Sequence, residues 1–173
     1  MKTRYNPFIR SIVFSVTTIV ISPHVDAATY QWSGVTSDNW TVAGNWATGT
    51  GLTAGPAPTG TGGHRLNVNN GNNNGLVYTS AQGTTTYNLS TNRGLVIGSS
   101  TVSGTRGVFR ITGGKFSTVG STAGDIIGNG TGNAGTLIID GGEYEASAAV
   151  GMGIGGGPAS TLTVNSGLAT IPT

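Results

Sequence analysis

GVFRITGGKF (107–116) is followed 28 residues later by GTLIIDGGEY (135–144), and 25 residues after that by STLTVNSGLA (160–169). Apolar residues alternate within each copy. Phe109 and Ile111 point one way and Val108 and Arg110 the other, and Leu137/Ile139 and Leu162/Val164 repeat the inward pair. A period of two marks a strand with one buried face. Lys115 and Glu143 share one repeat position, and Phe116 and Tyr144 the next. Ile-Gly recurs at 97–98, 127–128 and 154–155, which divides the second half into blocks 95–124, 125–153 and 154–173. A repeat of this length with two or three short strands is what one coil of a parallel β-solenoid needs, because a single coil cannot bury its apolar row alone. The expected fold is therefore all-β, a right-handed parallel β-helix (solenoid). The same short strands would also serve an antiparallel sandwich, but a sandwich has no reason to repeat Gly-Gly after each second strand.

Upstream, the strand candidates are LNV (66–68), LVYTS (76–80), TTYNLS (85–90) and LVIGSS (95–100), and NNGNNNG (69–75) is expected at a corner, where Asn tolerates left-handed backbone. No 3.6-residue apolar stripe occurs after residue 27, so essentially no helix is expected there. Residues 28–65 read as an N-terminal Trp-rich cap and a Gly/Pro-rich loop. All three tryptophans lie here, Trp32, Trp40 and Trp46, beside Asp-Asn and Gly-Asn turn formers. Clustered tryptophans in a small β protein fill a core more often than they form a sugar-stacking surface. Coils of residues 66–173 follow this cap.

Residues 1–27 read as a secretory signal peptide. Lys2, Arg4 and Arg10 precede the apolar run SIVFSVTTIVI (11–21), Pro23 breaks it, and Val25-Asp26-Ala27 offers a cleavage site. The run is too short for a membrane span of about 20 residues. The implied location is secreted, extracellular or cell-surface. The whole chain carries a formal charge of +2. Once the signal is removed, five basic residues (Arg65, Arg93, Arg106, Arg110, Lys115) balance five acids (Asp38, Asp125, Asp140, Glu143, Glu145). The basic residues are scattered, so no nucleic-acid partner is expected. The 173 residues include 31 Gly and no Cys, which excludes disulfide scaffolds, thiolate zinc sites and cysteine nucleophiles.

The signal peptide, the W…NW…NW segment and coils of the form LxIG…GxLxIxGG resemble the passenger regions of autotransporter-type and PEP-CTERM-type secreted proteins of Gram-negative and related environmental bacteria. The resemblance covers most of the processed chain and implies a β-helical, adhesin-like surface protein without catalytic activity. It also implies an extracellular polysaccharide or cell-surface partner. The chain departs from those families in having no C-terminal membrane barrel and no Pro-Glu-Pro sorting signal. It stops at Ile171-Pro172-Thr173, in the middle of an expected coil. A fragment of a longer protein is one reading of that stop, and an uncapped coil that pairs with another copy is the other.

Motifs for chemistry are few, and no catalytic, cofactor-binding or metal residue is assigned. His64 is the only histidine after the signal and sits in a Gly/Pro-rich loop. No Gly-Xaa-Ser-Xaa-Gly occurs. Gly113-Gly114-Lys115 is followed by Phe116 and not by Ser or Thr, so no phosphate loop is marked. Gly128, Gly130 and Gly132 imitate a nucleotide fingerprint without the helix it requires. The best acidic group is Asp140, Glu143 and Glu145. Glu143 and Glu145 are expected on one strand face about 7 Å apart, which a glycosidase pair at about 5–9.5 Å would tolerate. Arg110 and Lys115, one coil away, would complete a lyase-like cluster. Against these readings stands an ordinary solvent-facing Glu-Tyr-Glu strand face. Two rivals to the adhesin-like reading follow: a carbohydrate-active β-helix enzyme using Glu143 or Glu145, and a carbohydrate-binding module using Trp32, Trp40 or Trp46.

Overall fold

The computed structural model describes residues 29–48, 53–58, 65–71, 74–88, 94–98, 106–120, 124–130, 132–154 and 159–172. The expected signal peptide and His64 lie outside these residues. Among the described residues thirteen strands follow one another: β1 (Thr29–Trp32), β2 (Trp46–Thr48), β3 (Thr53–Ala54), β4 (Arg65–Val68), β5 (Leu76–Tyr78), β6 (Thr84–Asn88), β7 (Leu95–Ile97), β8 (Arg106–Ile111), β9 (Lys115–Val119), β10 (Asp125–Asn129), β11 (Ala134–Glu145), β12 (Val150–Ile154) and β13 (Thr161–Thr170). Two single-turn 3-10 helices, Ala43–Asn45 and Ser80–Gln82, are the only helical residues described.

The strands make two sheets. The first runs β12-β10-β7-β4-β1-β2-β3, and the second β5-β8-β11-β9-β6, with β13 added on β11. The repeats pair in parallel with the register the sequence implies. Gly107 faces Gly135, Phe109 faces Leu137, and Leu137 faces Leu162 in turn. Phe109, Ile111, Leu137 and Ile139 are all fully buried. Each such side chain stabilises the fold by about 1.5–3 kcal/mol.

The right-handed parallel β-helix expected from this repeat is nevertheless not the fold. The described residues are mostly strand with almost no helix, but they form one mixed and one parallel sheet that curl like half a barrel. Two features break a regular coil. β1 to β3 turn back on themselves, with Trp32 opposite Trp46 and Ala47 opposite Ala54 in antiparallel pairs. β11 runs unbroken through Gly141-Gly142 and serves as partner to both β8 and β9. Its pairing with β13 absorbs the irregularity as register shifts on either side of Asp140. Flexible Gly-Gly permits a bulge inside a strand as readily as a corner between two. The antiparallel sandwich is not formed either, because β4, β7, β10 and β12 pair in parallel.

The tryptophan segment joins the first sheet and the common core. β1 joins the first sheet through parallel pairing with β4, and Trp32, Trp40 and Trp46 are all buried in the common core. At the other end, β13 lies exposed along most of its length, with Val164 and Leu168 open to solvent.

Two glycine pairs show why the repeat needs glycine. Gly98 and Gly128 take φ of 75° and 77° at equivalent positions. The Gly98 N–H donates to the Val68 carbonyl and its own carbonyl accepts from the Asn129 N–H, both at 2.9 Å. Gly107 and Gly135 lie where any β-carbon would strike backbone of the first sheet, at Gly98 and Gly128 respectively. A β-carbon on Gly98 would itself collide with the Ala134 carbonyl. Gly98→Ala is therefore expected to cost about 2 kcal/mol or more in urea unfolding. Gly71→Ala, at φ 56° but facing open space, should cost only about 1 kcal/mol. Equal effects would mean the close approach at Gly98 is unimportant.

Candidate functional site

The charged residues singled out in the sequence come together on the outer face of the second sheet. Pairing Lys115 with Glu143 and Ser117 with Glu145 along β9 and β11 sets the spacing. Lys115 Nζ then lies 3.0 Å from Glu145 Oε2 and 3.8 Å from Glu143 Oε2. Ser117 Oγ donates to the same Glu145 oxygen at 3.0 Å. Arg110 on β8 reaches Asp140 on β11 at 3.2 Å. The Lys115 ammonium beside Glu145, helped by the Ser117 hydroxyl, holds the Glu145 carboxyl below its ordinary range. Reciprocally, Glu145 first and Glu143 second push the lysine up.

This tuning suits neither Glu145 as a general acid nor Lys115 as a base. A glycosidase general acid must hold its proton near neutrality, which requires a raised carboxyl pKa. Glu145 is shifted the other way. A lyase base must shed its proton, and Lys115 is held in its charged form. The arrangement ties neighbouring strands to each other alongside their hydrogen-bonded backbone. Among the described residues no cluster of three or more His, Cys, Asp or Glu could hold a metal ion.

The tryptophans form no exposed face. Trp32, Trp40 and Trp46 pack edge to face, with centroids 5.1 Å apart for Trp32–Trp46 and 4.9 Å for Trp40–Trp46. Trp46 Nε1 donates to the Trp40 carbonyl at 2.7 Å, and Trp32 Nε1 to the Asn74 carbonyl at 3.0 Å. Rings so enclosed cannot stack on a glycan. Asn45 is fully buried as well. Its side-chain oxygen accepts from the Thr36 and Ser37 N–H groups, and its amide donates to Ser37 Oγ and the Asn39 carbonyl. The Asn-Trp spacing therefore shapes the loop 36–45 around one satisfied amide. Of the Asn-rich corner, Asn70 accepts from the Val108 N–H at 2.8 Å and Asn74 donates to the Gly34 carbonyl at 2.9 Å. Asn72 and Asn73 lie outside the described residues. Gly128, Gly130 and Gly132 all take positive φ, as turn glycines do.

One acid had no motif to announce it. Asp125 opens β10 and is buried in the core. Its Oδ2 accepts from the Tyr144 hydroxyl at 2.6 Å and the Thr118 hydroxyl at 2.7 Å, and its Oδ1 from the Leu95 N–H at 3.1 Å. Burial pushes its pKa up, against the pull of these three donors. The group ties β7, β9, β10 and β11 together. An acid leading an apolar run, DIIG (125–128), is the only sequence signal for it.

With fold and site in view, the class of protein is an all-β chain of two curled sheets built on an in-register repeat. No protein-family model, curated protein or solved structure matches it.

Proposed function

We propose that the chain is a secreted or surface-exposed structural module, adhesin-like and without catalytic activity. The observation that carries the reading is the Lys115 clamp. The side chains with the best claim to chemistry are engaged with one another across adjacent strands, and Glu145 is tuned away from acid catalysis. The N-terminal signal pattern and the resemblance to passenger regions of secreted surface proteins support the extracellular location. The enzyme alternative would require a group other than Glu145 to supply the acid, since Lys115 favours the ionised form of Glu145.

The test is a blot of fractions from producing cells with an antibody against residues 95–153. The expected band is in the medium or on the outer surface, and the purified chain should release no sugar ends from a broad polysaccharide panel. A band confined to the cytosol, or sugar release lost in Glu145→Gln, overturns the reading.

A further inference from the structure

A groove of about 330 Å³ opens between the 38–41 loop and the segment 77–82. That volume falls at the lower end of small-ligand sites. An isolated parallel bridge between Asn39 and Val77 holds the two walls together, with the Val77 N–H donating to the Asp38 carbonyl at 3.0 Å. Its apolar lining residues are Val77 and Ala81.

Both amide side chains at the rim are oriented by their oxygens. Asn39 Oδ1 accepts from the Thr41 N–H and the Thr41 hydroxyl, each at 2.9 Å. Gln82 Oε1 accepts from the Thr79 N–H at 2.7 Å and the Thr79 hydroxyl at 2.9 Å, closing a capping box on the 80–82 turn. Each amide NH2 is left with no partner among the described residues, and so is the exposed Asp38 carboxylate. The lining thus holds one charged acceptor, two NH2 donors on amides that are already oriented, and the methyl groups of Val77 and Ala81. The carboxylate repels anions, and among the described residues no cation lines the groove to offset it and no aromatic ring lines it to stack on a base. Adjacent hydroxyls can donate to a carboxylate and accept from amides at once, and the C–H face of a sugar ring is chemically suited to the methyl groups of Val77 and Ala81.

We propose that this groove binds a neutral saccharide, with Asp38 accepting from its hydroxyls and Asn39 and Gln82 donating to them. The inference goes beyond the structural reading and does not depend on where the protein resides. The test is saturation-transfer difference NMR on the purified chain with a panel of methyl glycosides (gluco, galacto, manno and N-acetylglucosamine). Asp38→Ala removes the acceptor. Gln82→Glu keeps the oxygen that closes the capping box and removes the NH2. At least one glycoside should show transfer to its ring protons, weakened about fivefold or more in each variant, with the emission of the buried tryptophans unchanged as the check on folding. Transfer to no glycoside overturns the proposal, as does transfer that both folded variants retain in full, or displacement of the glycoside by inorganic phosphate. Binding by the purified chain and the cell-fraction blot can each fail without the other.

Discussion

Replacing Asp125 with alanine is expected to lower the unfolding free energy by about 4 kcal/mol. Three donors lose their acceptor at once: the Leu95 N–H and the hydroxyls of Thr118 and Tyr144. A buried donor left unsatisfied costs about 1–3 kcal/mol. The two hydroxyls recover part of this by rotating, whereas the backbone N–H cannot, and relief of the carboxylate's own desolvation offsets a further part. Asp125→Asn should be far milder. Its oxygen still serves Leu95, and its NH2 can donate to the two hydroxyl oxygens.

The pair of variants also separates charge from shape. Burial raises the pKa of Asp125 in the fold, so the folded chain holds this proton more tightly than the unfolded one. Any penalty from the charged form is absent below the ordinary carboxylate range, and it grows as pH rises from that range through the raised folded value. Stability contributed by this group is therefore lost on going up in pH. Glu145 works with the opposite sign: its folded pKa is lowered, so its contribution is present above the ordinary range and is lost as pH falls through the folded value. Comparing the wild type with Asp125→Asn by urea unfolding at roughly pH 5 and roughly pH 8 isolates the first effect. The asparagine variant should gain relative to the wild type at the higher pH. A constant difference would mean that Asp125 titrates alike in both states.

The repeat was readable because its signals are local. Alternation in 107–111 and 135–139 names the buried residues, and copies of similar sequence pair copy to copy. The strands expected at 66–68, 76–80, 85–90 and 95–100 overlap β4, β5, β6 and β7, with 89–90 and 99–100 outside the described residues. What stayed hidden depends on partners far along the chain. Whether Gly141-Gly142 bends β11 or ends it is decided by the strands on either side. The direction in which β1 meets β2 is decided by a loop wrapped around Asn45. Asp125 finds its partners 7, 19 and 30 residues away, and Asp38 lies far before Gln82 in the chain. No spacing rule links such residues, so neither the buried carboxylate nor the groove had a motif. The tryptophans were a different case, since the same clustering suits a core and a sugar-binding surface, and only burial distinguishes them.

Trp40 provides the sharpest test of that distinction. It is the hub of the aromatic core, with Trp46 at 4.9 Å, Tyr87 at 5.4 Å, Tyr78 at 5.5 Å and Phe116 at 5.9 Å between ring centroids. These rings come from both sheets and from the loop that precedes β2, so removing the hub opens a void where all three meet. Trp40→Ala is expected to cost about 4 kcal/mol, within the range for deleting a buried aromatic ring. The edge-to-face packing that disappears with the indole adds to the cost of the void. Trp40→Phe keeps a ring against Tyr78 and Phe116 and should cost about half as much. A domain with a total stability of about 5–15 kcal/mol would be brought near its limit by the alanine variant. The measurement is urea unfolding followed by far-ultraviolet circular dichroism, which stays usable when a tryptophan is lost. If Trp40 served as a surface for ligands, its removal would leave the unfolding midpoint in place. A midpoint that falls steeply for alanine and by an intermediate amount for phenylalanine assigns the ring to the core, and leaves glycan recognition to groups outside it.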